Sequence, residues 1–232
     1  MVKKVIASDW ALEDVHRLWN WYGATPDSEH QYFTRSFGLG IANFLHMGNF
    51  LTGRLLDYSS GCGHLLEHLL AFDIEGYAVE FSEKSLLATN RRLKKSQKFK
   101  AGHLLTESKT PFSDNFFSVV TLIEVLEHLT QQEVQAVLKE IFRVLAPNGN
   151  LLITTPYKEN MSKNQIYCPF CDTEFHRMQH MRSIDERWMI DQAEGVGFKV
   201  VFCKGINLGR FQQQYNLLPL ADLSVLVKHF QS

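Results

Sequence analysis

The chain lacks one-sided charge. It carries 24 Lys and Arg against 25 Asp and Glu, a formal net charge of −1 over 232 residues. That balance removes any global pull toward nucleic acid or an anionic membrane, and Arg91-Arg92-Leu93-Lys94-Lys95-Ser96-Gln97-Lys98 is the one strong charge run. Cysteine is scarce: four residues, two close together and two isolated, cannot make a disulfide framework and suit a reducing compartment, so the cytoplasm is the expected location. No apolar run reaches the roughly 18 residues of a membrane span. The opening stretch, Met1-Val2-Lys3-Lys4-Val5-Ile6-Ala7-Ser8-Asp9, is too short in apolar residues for a secretory signal. Internal repeats and low-complexity segments are absent too. What remains is an ordinary apolar share of 45%, enough to bury a sizeable core.

From residue 53 the pattern alternates strand and helix. Strands are expected at 54–57, 77–81, 116–123, 150–155, 198–204 and 224–230, and helices at 64–72, 85–93, 131–145 and 184–196. The run 116–123 is nearly all apolar, as a strand covered on both faces must be. Such alternation points to an α/β fold with a parallel sheet and helices on both faces. No helix pattern separates the last two strands, so they read as an antiparallel pair. Residues 1–50 form an aromatic-rich helical cap, broken at Thr25-Pro26-Asp27, that suits both packing on the sheet and covering a pocket. Residues 51–232 form the main domain. Residues 157–181 interrupt the alternation with a long polar insertion, and long insertions in compact domains are commonly functional.

One further lack concerns glycine. Leu55-Leu56-Asp57-Tyr58-Ser59-Ser60-Gly61-Cys62-Gly63 reads as a buried strand, a tight turn and a helix start, and Glu80 follows at the end of the next strand. A dinucleotide-binding turn needs G-x-G-x-x-G, but after Gly61 and Gly63 the third position is Leu66. That argues against a nicotinamide cofactor.

Read instead as an acidic residue followed by a glycine-rich turn, with Ser59 in the first glycine's place, the segment resembles the first motif of class I S-adenosylmethionine-dependent methyltransferases. Gly76-Tyr77-Ala78-Val79-Glu80-Phe81-Ser82 resembles the second-strand motif. Thr110-Pro111-Phe112-Ser113-Asp114-Asn115-Phe116-Phe117, Glu124-Val125-Leu126-Glu127-His128 and Arg143-Val144-Leu145-Ala146-Pro147-Asn148-Gly149 resemble the family's later motifs, in the family's order over about residues 50–205. The resemblance implies a Rossmann-like, seven-stranded, mostly parallel sheet and S-adenosylmethionine as methyl donor. It implies that Asp57, Ser59, Gly61 and Gly63 form the cofactor turn, that Glu80 accepts the ribose hydroxyls, that Phe81 and Ile123 flank the adenosyl group, and that Leu104 offers a backbone contact. His103 stands where the family often has an aspartate.

Two residue groups point to further chemistry. Glu124, Glu127 and His128 follow a strand end, and their three- and four-residue spacing would place them on one face of a helical turn. Three readings stand open: His128 as general base with Glu127 beside it, the trio as metal ligands, or a solvated helix start. The five-residue element is similar to the metal-binding element of small-RNA terminal 2′-O-methyltransferases. Cys168, Cys171, His176 and His180 are two thiolates and two imidazoles in C-x2-C-x4-H-x3-H spacing, a donor set for zinc or another divalent metal. The alternatives are a free cysteine pair, or a His180 that reaches the Glu124–Glu127–His128 cluster instead. The expected activity is methyl transfer to an oxygen of a small molecule. RNA 2′-O-methylation with a metal-assisted site and a non-catalytic cofactor-binding module are the alternatives, nucleic acid being disfavoured by the charge balance.

Overall fold

The computed structural model describes residues 3–4, 10–207, 209–211 and 222–229. Apart from Lys3–Lys4 the opening stretch lies outside the described residues, and so does Phe230, the expected end of the last strand.

The strands are β1 (Arg54–Tyr58), β2 (Glu75–Glu80), β3 (Phe99–Leu104), β4 (Phe117–Ile123), β5 (Leu145–Thr155), β6 (Phe198–Ile206) and β7 (Asp222–His229). They form a seven-stranded sheet in the order β3-β2-β1-β4-β5-β7-β6. The pairs β1–β2, β1–β4, β2–β3 and β4–β5 are parallel, and β7 runs antiparallel to both β5 and β6. The helices are α1 (Leu12–Ala24), α2 (Phe33–Met47), α3 (His64–Leu69), α4 (Glu83–Leu93), α5 (Gln131–Val144) and α6 (Glu186–Glu194).

Strand alternation sends neighbouring residues to opposite faces, and each face has its own core. Leu56, Val120 and Leu151 join Val134, Ile141 and Met189 of α5 and α6 on one side. Leu55, Val119 and Leu152 join Ile41, Leu45, Leu65 and Leu93 of α2, α3 and α4 on the other. The α2 helix is thus part of the core, whereas α1 lies over the carboxyl ends of the strands, where Trp19 meets Phe81 and His128. Among the described residues no helix is long and apolar enough to cross a membrane.

Two local outcomes differ from the sequence pattern. The strand β3 has no apolar signature, because it is an edge strand whose Lys100 and Leu104 are exposed. β5 starts directly after α5 rather than at residue 150. Leu145 pairs with Phe117, the register then shifts, and Asn150 pairs with Val119, so Ala146-Pro147-Asn148-Gly149 bulges out of the ladder.

Candidate active site

The cofactor turn is built by backbone that few residues tolerate. Ser59, Gly61 and Gly63 all have positive φ, at 64°, 54° and 78°. The N–H groups of Ser59 and Ser60 both donate to the Val79 carbonyl, at 2.9 and 3.1 Å, which lays the turn across the end of β2. The Glu80 carboxylate accepts from Gly61 N–H at 2.8 Å and from Ser82 N–H at 2.9 Å. From α4, Thr89 Oγ1 donates to the Gly61 carbonyl and Arg92 Nε to the Cys62 carbonyl. Part of the basic run thus serves the turn. A Cβ on Gly61 would stand 2.9 Å from the Tyr32 ring, and one on Gly63 would stand 3.1 Å from Thr89, so a side chain at either would crowd its neighbour as well as strain φ.

Two buried carboxylates flank this turn. Burial pushes both up to about 7, against the Thr121 hydrogen bond for Asp57 and backbone N–H donors for Glu80. Asp57 Oδ1 accepts from the Thr121 hydroxyl at 2.8 Å, while Asp57 Oδ2 and Ser60 Oγ are buried without a partner. Unpartnered buried acceptors are rare in folded proteins. Here they fit a ligand bearing an ammonium group and hydroxyls, as S-adenosylmethionine does.

A cavity of about 350 Å³ runs from this turn to His128, within the range of roughly 300–1,000 Å³ for small-molecule sites. Ser59, Gly61, Glu80 and Phe81 line its cofactor end, and Glu124, His128, Gln179 and Met181 its far end. Trp10, His16 and Trp19 roof it. The Trp19 ring meets His128 edge-on at 5.0 Å, and His16 lies 5.6 Å from Phe81. Of the expected cofactor residues, Asp57, Gly63, Leu104 and Ile123 do not line the cavity. Asp57 and Gly63 belong to the turn's frame. Ile123 packs into the core below, and Leu104 is exposed at the sheet edge while its neighbour Leu105 lines the cavity.

At the far end the expected helical turn is shorter. Only Leu126–His128 is helical, as a single 3₁₀ turn. Glu124 stands before it with φ 55° and binds the Thr154 hydroxyl through Oε1 at 2.7 Å, so the three residues do not share a helix face. Glu127 Oε2 accepts from the Thr155 hydroxyl at 3.0 Å, and its Oε1 lies 3.7 Å from His128 Nε2. Glu127 Oε1 and His128 Nδ1 are buried without a hydrogen-bond partner. Burial raises the Glu127 carboxyl and holds the His128 imidazole well below its usual range, with the neighbouring His180 and His176 adding to the latter.

His180 completes this group, in place of Glu124. Its ring lies 4.7 Å from that of His128, and one donor atom each of Glu127, His128 and His180 lie within 4.8 Å of one another. The Met181 N–H, donating to the Glu127 carbonyl at 2.7 Å, ties the insertion to the sheet edge.

The insertion is not the expected knuckle. It folds as a hairpin of Gln165–Cys168 and Thr173–His176, with Lys3–Lys4 pairing alongside the second strand. Cys168 and Cys171 sit at its tip, where Cys171 Sγ meets Thr173 Oγ1 at 2.8 Å. His176 lies at the other end, opposite Gln165. The two cysteines therefore do not converge with the two histidines. Among the described residues, the groups of donor atoms close enough for a metal are Glu127–His128–His180 and Glu159–His176–His180. No local spacing marks Glu159, Gln179, Trp10, His16 or Trp19 as a site residue, because long-range packing sets their positions.

A sheet in this order, with a left-handed glycine turn after β1 and an acid ending β2, defines the class of Rossmann-like S-adenosylmethionine-dependent methyltransferases. The sequence matches the methyltransferase-domain family over residues 29–202, and the chain belongs to that family. An uncharacterised protein of Methanocaldococcus jannaschii is 27% identical over 121 residues, 52% of this chain and 47% of that protein. The ubiquinone/menaquinone biosynthesis C-methyltransferase UbiE of Neisseria meningitidis is 29% identical over 103 residues, 43% of this chain and 41% of the enzyme. The chain thus spans about half the length, or less, of these curated relatives. The fold is shared with the 1,6-didemethyltoxoflavin-N1-methyltransferase of Burkholderia thailandensis, solved with its substrate and S-adenosylhomocysteine. The TM-score is 0.70 at 12% identity, over 96% of this chain and 92% of that one.

Proposed function

We propose that this methyltransferase moves the methyl group of S-adenosylmethionine to a hydroxyl oxygen of a small molecule. The observation that carries the reading is a single roofed cavity joining the cofactor turn to the polar edge at His128. Trp10 and the α1 helix serve as its cap. A cavity of this size favours a small acceptor over a polynucleotide, and four free cysteines suit a cytoplasmic setting.

The bound sulfonium supplies an activated methyl group. The chain's task is to bind, align and manage one proton. Glu80, already fixed by two backbone donors, keeps lone pairs for the ribose hydroxyls. The Asp57 carboxylate, in the turn's frame rather than on the cavity wall, attracts the ammonium of the amino-acid end without touching it. Trp19 and His16 exclude water above. His128, held neutral by burial, takes the hydroxyl proton on Nδ1 as the oxygen attacks, and Glu127 beside Nε2 stabilises the imidazolium. Calorimetry should show S-adenosylmethionine and S-adenosylhomocysteine binding; no binding of either at millimolar concentration refutes the reading. Replacing Glu80 with alanine should weaken both by about 2–3 kcal/mol, the value of a lost charged hydrogen-bonding group. A transfer assay over small hydroxylated compounds then identifies the acceptor, and His128→Ala should slow transfer roughly 100-fold or more with cofactor affinity kept.

A second reading rests on the donor set itself. One carboxylate and two imidazoles with a donor atom each within 4.8 Å fit a divalent cation held by Glu127, His128 and His180, the first two of which carry an unpartnered buried atom. Such an ion would lower the pKa of an acceptor hydroxyl. Titration with Mn2+ separates it from the base reading, in which the chain binds none.

A further inference from the structure

The insertion carries a carboxylate that the reaction as derived does not use. Glu159 is mostly buried and meets two imidazoles: His180 Nδ1 at its Oε2 and His176 Nε2 at its Oε1, the latter at 3.3 Å. The two rings stack at 4.5 Å with 25° between their planes. His176 Nδ1 accepts the backbone N–H of His180 at 3.1 Å. That bond assigns the proton of a neutral His176 to Nε2, so His176 donates to Glu159. Asn164 Nδ2 also donates to Oε1. The carboxylate therefore accepts from every neighbour it has here, and a proton on His180 Nδ1 completes the set. With Nδ1 engaged, Nε2 is the nitrogen His180 has left for the side where His128 lies.

We propose that Glu159, braced by His176, is the positioning residue of the catalytic edge: it fixes the Nδ1–H tautomer of His180 and turns Nε2 toward Glu127 and His128. Imidazoles that bind a metal or a reacting group commonly donate their other N–H to a carboxylate, which sets both ring orientation and basicity. The inference rests on the reading of Glu127, His128 and His180 as the catalytic edge.

The test uses the full chain, labelled with ¹⁵N-histidine, and MnCl₂ as probe. The wild type should show His180 protonated at Nδ1. Glu159→Ala removes both acceptors. Glu159→Gln keeps the volume but puts an NH₂ group against a donor, so it should also disturb the pair. Both variants should lose the fixed tautomer and weaken Mn2+ binding by roughly 10–100-fold, with S-adenosylhomocysteine affinity unchanged. Adding Glu159→Ala to His180→Ala should cost nothing further. An unchanged His180 tautomer in both variants overturns the proposal. So does Mn2+ binding that survives Glu127→Gln but is lost in His176→Ala, because the ion would then sit on Glu159 itself. A wild type that binds no Mn2+ refutes the cation reading alone, and the tautomer measurement still decides the role of Glu159.

Discussion

Ser59 shows how one side chain sits where backbone geometry prefers none. Its φ of 64° lies in the left-handed region, which costs an L-residue roughly 1–2 kcal/mol. The turn holds it there because its N–H and that of Ser60 share the Val79 carbonyl. Ser59→Gly should relieve this strain. Part of the gain is cancelled by the greater freedom of glycine in the unfolded chain, which leaves about 0.5 kcal/mol, or roughly 1–2 °C in Tm. Calorimetric melting checks it. A lower Tm would mean that the Ser59 side chain makes a contribution larger than its strain. Glu124 repeats the theme with φ 55°, held by Thr154 at the edge of the cavity. Left-handed non-glycine residues cluster at functional sites, and these two stand at the two ends of the same cavity.

At the scale of elements, local signals and tertiary packing divide the work. Thr130 and Glu133 close a capping box at the start of α5, and Asp185 caps α6 through the Trp188 N–H at 2.9 Å. Asp185→Ala should therefore cost about 1 kcal/mol in denaturant unfolding while leaving S-adenosylhomocysteine affinity alone. A change in affinity would show α6 coupled to the cofactor turn. The apolar runs of β1 and β4 and the glycine turn were legible in the sequence because each is a local pattern. The edge strand β3 was not, since none of its six residues is buried and Lys100 and Leu104 are exposed. The E-x-x-E-H spacing implied one shared helical face, but the left-handed backbone of Glu124, bonded to Thr154 on the neighbouring strand, breaks that face. Nor could spacing reveal that the hairpin carries Cys168 and Cys171 away from His176, or that Glu159 reaches His180 across twenty-one residues.

Across the whole molecule, the buried charges set a pH signature. Asp57 and Glu80 ionise at about 7 in the folded chain but near 4 when unfolded. Between these values the folded state holds protons that the unfolded state has lost, so both groups make the free protein less stable as pH rises from about 4 to 7. The raised carboxyl of Glu127 acts in the same direction. His128 and His176 oppose it. Their folded values lie below the usual imidazole value, so their contribution is lost as pH falls below about 6.5. Glu159, held at about 2 by hydrogen bonds and neighbouring imidazoles against the effect of burial, adds stability above its unfolded value and loses it in stronger acid. The groups overlap, so the net curve is not the diagnostic; the difference between wild type and Glu80→Gln is. Removing Glu80 should make the variant gain on the wild type by up to about 3 kcal/mol between pH 5 and 8, since a shift of one pKa unit is about 1.4 kcal/mol. Chemical denaturation of both proteins at several pH values measures it. The wild type should recover this deficit when S-adenosylhomocysteine is added at pH 8, because the ligand takes up the charge that burial disfavours, and Glu80→Gln should gain less from the same addition. Parallel pH curves for the two proteins would mean that Glu80 is already ionised in the free chain and that the turn's own N–H groups suffice to hold the charge.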